Sequence, residues 1–145
     1  MTTDDTRILL AQRELDEAAR EWAAAQLLAQ QGFFRQAVTR AYFAAFHAAQ
    51  GLLSAHGLQA ATHEGVQRLI GLHFVMTGLM PKEAGRALSA LLARRHEADY
   101  RLVVDVDEST WKAARSEAQT VAAAIGGHLA AAWPQLKFAI DLGQP

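Results

Sequence analysis

The chain has 145 residues, a formal net charge of -1 at pH 7 and no cysteine. That length fits one domain able to bury about 70% of its extended-chain surface, with no need of a covalent staple. The missing cysteines exclude disulfides and thiolate metal sites, and the near-neutral balance excludes a global field for nucleic acid or anionic membrane, so such a partner would need a local patch.

The start, MTTDDTR, places acidic residues where a signal peptide needs basic ones, and no stretch reaches the ~18 uninterrupted apolar residues of a membrane span. A soluble, cytoplasmic protein is expected. Abundant alanine, three prolines and few β-branched runs favour helix nearly throughout.

The first helix is predicted from about Asp4–Thr6 to Gln31, with Leu15, Ala18, Ala19, Trp22, Ala25 and Ala29 at helical spacing. Gly32 ends it as a C-cap, and Phe33 starts the next helix after almost no loop, which forces an antiparallel hairpin.

The second helix, Phe33 to Ser54, is the centre of the pattern. At about 100° per residue its apolar positions, among them Phe34, Val38, Tyr42, Ala45, Ala49 and Leu53, cover an arc of roughly 220°. A helix apolar over so wide an arc should be nearly surrounded. The narrow remaining strip carries Gln36, Thr39, Arg40, Phe43, His47, Gln50 and Ser54. This strip reads either as a solvated seam or as one closed by a partner, with Phe43 as the interface residue.

Thr62 offers an N-cap for a short third helix from His63 to about Met76, with Val66, Leu69, Ile70 and Phe74 facing inward. Pro81 suits the first turn of a fourth helix, whose stripe is Ala84, Ala87, Leu88, Leu91 and Leu92. After Tyr100, RLVVDVDE reads as an extended connection, and Asp107 or Ser109 caps the last long helix. That helix runs from Trp111 through Ile125 and Leu129, is weakened by Gly126-Gly127, and is ended or kinked by Pro134. The tail KFAIDLG is apolar enough to pack back on the bundle. The sum is an all-α, antiparallel up-and-down helical bundle of four long helices plus one short helix, with residues 1–145 as one domain.

Two anomalies bear on function. Continued by four, the fourth-helix stripe meets Arg95 and then Asp99, a charged pair where apolar residues are due. Arg95 with Asp99 and His96 with Tyr100 are i, i+4 pairs, and with Arg94, Arg86 and Arg101 they form the densest basic patch. This reads as an ion pair closing a helix end, or as an anion site with Arg95, Asp99 and Tyr100 at its centre and Arg94, His96 and Arg86 as binding residues.

The other anomaly is Arg40 with His47, seven apart and about 10.5 Å along the axis, a second candidate pair of phosphate binder and acid/base. His63 sits at a helix start where capping accounts for it, while His56 and His128 stand isolated in the sequence. No spacing suggests a metal site, and no Gly-rich phosphate loop or nucleophile elbow is present. No cofactor is expected.

Three blocks, RAYFAAFHAAQGLL, THEGVQRLIGLHFVMTGLM and LLARRHEADY, resemble the HEPN domain family in order and spacing, specifically its small stand-alone branch, over about Leu15 to Ala132. The resemblance implies a bundle of about five helices that commonly forms a homodimer, often encoded beside a minimal nucleotidyltransferase as a toxin–antitoxin pair. Many such proteins are metal-independent ribonucleases whose signature is an arginine, four to six residues, then a histidine, near the fourth helix. Here Tyr100 stands where that histidine falls after Arg95, and a phenol ionising around pH 10 is a poor base at neutrality. Arg40 and His47 satisfy the spacing but on the second helix. Three readings follow: an RNA-acting or RNA-binding dimer, a non-catalytic module partnering a nucleotidyltransferase, and a nucleotide-binding bundle.

Overall fold

The computed structural model describes residues 3–138 and Ile140. Five α-helices account for most of them: α1 (Thr3–Gln30), α2 (Phe34–Ala55), α3 (His63–Ile70), α4 (Lys82–Tyr100) and α5 (Glu108–Ala132). No strand occurs among the described residues. The chain is an all-α bundle, as the periodicities predict.

Helix α1 buries Ala11, Leu15, Ala18, Trp22 and Ala25, alternating steps of four and three that keep one face inward. It ends where Gly32 takes φ +82, and Phe33 N–H donates back to the Leu28 carbonyl at 2.9 Å. This left-handed cap reverses the chain within two residues, and α2 begins at Phe34, one residue later than expected. Gly57, at φ +73, terminates α2 in the same way.

Helix α2 packs against α1, α3, α4 and α5, so its broad apolar arc is explained: four elements cover it. Its many alanines let those neighbours approach closely, and at Gly51 an added Cβ would lie 3.0 Å from Leu15 Cδ2 and 3.3 Å from the Ala11 carbonyl. Helices α2 and α5 run in the same direction. Phe34 shares a cleft with Glu108 and Trp111 at one end, and His56 meets His128 at the other.

The Thr62 hydroxyl caps α3 by accepting from Gly65 N–H at 2.9 Å. The third helix does not continue as one α-helix to Met76. After Ile70 the ladder widens to a π-helical turn over Gly71–Val75, with Met76 N–H donating to the Gly71 carbonyl at 2.9 Å. Steps of four overshoot an α-turn by about 40°, so Val66, Ile70 and Phe74 would drift off one line. The wider turn returns Phe74 to the core, where it is 1% exposed.

Pro81 precedes α4 as predicted, and the connection 101–107 is irregular. Asp107 caps α5 by accepting from Thr110 N–H at 3.0 Å. Helix α5 passes through Gly126-Gly127 unbroken and stops ahead of Pro134. Of the tail, Phe138 and Ile140 pack on the core, and Gln12 brackets Lys137 by donating to its carbonyl and accepting from its N–H, each at 2.8 Å. Ala139 and residues 141–145 lie outside the described residues.

Candidate functional site

The polar strip of α2 faces two ways. Toward α1, Arg40 Nη1 donates to both carboxylate oxygens of Glu21 at 3.1 and 3.0 Å, and His47 Nδ1 lies 2.8 Å from Glu14 Oε2. Both partners and both strip residues are separated by seven positions, running in opposite senses, as an antiparallel hairpin in register requires. The Arg40–His47 spacing is therefore matched by a ladder between α1 and α2. Toward α4, the Thr39 hydroxyl donates to Asp99 Oδ1.

Asp99 also accepts from Arg95 Nε at 2.9 Å. The Arg95 side chain is only 15% exposed, so a permanent charge sits where the helix stripe called for an apolar residue. Three rings surround it: the guanidinium carbon lies 5.9 Å from the Tyr42 centroid, 5.4 Å from Phe43 and 5.6 Å from Tyr100. Such cation–ring contacts contribute roughly 0.5–2 kcal/mol each. Because Asp99 takes Nε, the two terminal amino groups of the guanidinium remain to meet another acceptor.

Phe43 joins the two anomalies of the sequence. Arg40 stands 5.1 Å from its centroid, and His47 lies at 6.4 Å. Beside it a cleft of about 340 Å³ opens between Gln36, Thr39, Arg40, Asp99 and Leu102. Within the protomer Phe43 is half-buried and packed on the core. Arg35 closes the end of this cleft, donating to the Ala98 carbonyl at 2.6 Å and to the Val104 carbonyl, and so ties the loop after α4 to α2.

The remaining predicted residues separate. Exposed His96 stacks on Tyr100 at 5.9 Å and stays at the site. Arg94 turns to α5, where Nε and Nη2 bond Glu117 at 2.7 and 3.0 Å, and that bond raises the arginine's proton affinity. Arg86 lines a different cleft, of about 560 Å³, with Gln67, Gly71, Val75 and Lys82.

Two residues outside the predicted set join this cluster: Tyr42, one of the rings around Arg95, and His63, which packs on Phe43 and Phe46. The Tyr42 hydroxyl is 2.6 Å from His63 Nδ1, and the His63 ring lies 4.4 Å from Phe46 and 6.0 Å from Phe43. Burial pushes the Tyr42 hydroxyl well above the usual phenol range, so it keeps its proton. Burial first, and then the Arg95 charge, hold His63 below the ordinary imidazole value, with His96 and His47 adding to the effect and Glu64 opposing it. The periodicity placed Tyr42 on the apolar arc and assigned His63 to capping; a histidine directly after the cap residue Thr62 was the available signal.

His56 and His128 are not isolated. Their Nε2 atoms are 2.9 Å apart and the rings stack at 5.1 Å beside Trp133, and burial together with His128 lowers the proton affinity of His56. Seventy-two residues separate them in sequence, so only the parallel run of α2 and α5 brings them together. Among the described residues no group of three or more His, Cys, Asp or Glu could hold a metal ion. No helix there is long and apolar enough to cross a membrane.

The alanine-rich five-helix fold, with the Arg95–Asp99 pair beside α2, sets the chain among all-α bundle proteins. The family model of the HEPN domain matches residues 11–127, and the chain belongs to the HEPN domain family. It is similar to a Methanocaldococcus jannaschii protein named "Putative toxin", 36% identical over 86 residues, which are 59% of this chain and 64% of that one. It is also similar to UPF0332 proteins of Pyrococcus horikoshii (39% over 69 residues, 48% of this chain and 49% of that one) and of Thermotoga maritima (34% over 88 residues, 61% and 67%). The matched stretch thus spans about half to two thirds of these relatives' lengths.

Proposed function

We propose that the chain is a toxin-type HEPN protein that acts on RNA as a homodimer, with Arg95 as the residue that meets the phosphate. The observation that carries this reading is the Arg95 guanidinium, 15% exposed, oriented through Nε by Asp99 and left with its terminal donors for an acceptor. A fixed arginine fork is suited to phosphate oxygens. Arg40, 5.1 Å from the centroid of the Phe43 ring that Arg95 also approaches, places a second cation nearby. The toxin name of the Methanocaldococcus relative supports the toxin part.

The dimer is proposed through the end of α4. Tyr100, Leu102 and Val103 are 66%, 79% and 91% exposed and adjoin the Asp99 cleft. Burying them against a second copy would remove apolar surface from water and bring two Arg95 sites close. The test is single-stranded RNA binding and cleavage by the purified protein. Wild type is expected to bind or cut, and Arg95→Ala to lose at least tenfold with helix content unchanged by circular dichroism. Wild type that neither binds nor cuts RNA overturns the reading.

The second reading is a non-catalytic module that pairs with a minimal nucleotidyltransferase antitoxin, and the same exposed Leu102–Val103 pair favours it as a contact surface. Co-expression with the product of the neighbouring reading frame decides it. A stable complex abolished by Val103→Asp, with no effect of Arg95→Ala on RNA, would place this reading first.

A further inference from the structure

We propose that His63 is the second phosphate-contacting residue of the Arg95 site, so that one RNA phosphodiester is held between the Arg95 guanidinium and His63 Nε2. This rests on the RNA-acting reading above. The histidine that the family signature places after the arginine on the fourth helix is here Tyr100, and α3 brings an imidazole to the same cluster.

Two contacts fix the His63 ring. The cap of α3 is made by Thr62 and Gly65, so the His63 side chain is not consumed by capping. Its ring lies at 32° to Phe46 at 4.4 Å, which sets its plane. Its Nδ1 meets the Tyr42 hydroxyl at 2.6 Å. Tyr42 is 1% exposed and retains its proton, so its hydroxyl donates to Nδ1, and the neutral ring carries its own proton on Nε2. His63 thereby presents a donor, as Arg95 does. The two flank the same rings: Arg95 is 5.9 and 5.4 Å from Tyr42 and Phe43, and His63 is 5.6 and 6.0 Å from them.

The charges around His63 point to an anion. Arg95 and His96 face it from α4 and His47 from α2, while Glu64 on its own helix is the one carboxylate that acts on it, since Asp99 is taken by Arg95 and Thr39. Of these groups Arg95 is the permanent cation, and its charge disfavours protonation of His63 and favours a bound phosphate. A phosphate placed between the two donors reverses the balance and raises the proton affinity of His63.

The test follows the His63 ring by NMR across a pH titration, in the free protein and saturated with a single-stranded 2′-O-methyl RNA octamer, which binds without offering a 2′-hydroxyl for cleavage. The His63 midpoint is expected to rise by about one unit on RNA binding, the free-protein midpoint to rise in Arg95→Ala, and affinity to fall about tenfold in His63→Ala. Tyr42→Phe is expected to weaken binding less and to be offset by lower pH, as befits a positioning residue. RNA that binds through Arg95 without moving the His63 midpoint overturns this inference and leaves the RNA reading standing. An octamer that does not bind at all overturns both. A shift produced by adenosine monophosphate but not by the octamer reassigns the site to nucleotides and overturns the RNA form of the proposal. Because the midpoint is read in wild type, the outcome does not depend on a variant folding.

Discussion

At the scale of single residues, two histidines resist protonation in the fold. Burial with Arg95 lowers His63, and burial with His128 lowers His56. A base whose proton affinity is lower folded than unfolded lets the unfolded chain take protons first, so stability falls as pH drops below about 6.5 and levels off once the folded midpoint is passed. Chemical denaturation across pH 7.5 to 5 is expected to show this decline, and His56→Gln to reduce its slope. Asp99 carries a different expectation. It accepts from both Arg95 and Thr39, so Asp99→Ala strands a largely buried cation and is expected to cost on the order of 2 kcal/mol, measured by urea unfolding. The Arg95–Asp99 pair was legible in the sequence because it interrupted an apolar stripe. Tyr42 and His63 were not, since a buried tyrosine on an apolar arc carries no mark of its partner across twenty-one residues.

At the scale of elements, close packing of α1 on α2 is set by small residues. At Gly51 the first side-chain carbon already crowds Leu15 and the Ala11 carbonyl, so Gly51→Val is expected to destabilise by about 1–3 kcal/mol. Gly127 is the contrast. It lies in α5 with nothing within 4 Å of an added Cβ, so Gly127→Ala is expected to stabilise by about 0.5–1 kcal/mol through helix propensity. Thermal melts of the two variants should move in opposite directions. Arg94 belongs at this scale as well. Its bidentate bond to Glu117 joins α4 to α5, and neither the charge nor the spacing of RRHEADY distinguishes that arginine from its neighbour. Helical phase separates them: one residue's 100° turn sends Arg94 to α5 and Arg95 to α2.

At the scale of the whole molecule, the exposed Tyr100, Leu102 and Val103 sit where α4 leaves the bundle, next to the Asp99 cleft. If two copies meet there, Val103→Asp should convert a dimer to a monomer by light scattering while the protomer's helix content is retained. A wild-type monomer at high concentration would remove the dimer from the proposal. The fold around that surface was largely readable in advance: helix count, the Gly32 reversal, the Thr62 and Asp107 caps and the stop before Pro134 all stand where local chemistry put them. The π-helical turn after Ile70 was not, because it answers to where Phe74 must meet the core and not to any local propensity.

What the sequence by itself determined is therefore the bundle and its family: helical period, caps and turn glycines act within a few residues, so their consequences can be read along the chain. What only the tertiary structure decided is which polar groups meet. Arg40 faces Glu21, Arg94 faces Glu117, His56 faces His128, and His63 meets Tyr42. Each of these meetings spans 19 or more residues and depends on the relative phase of two packed helices. That phase is set by the sum of many apolar contacts, and no single position along the chain records it.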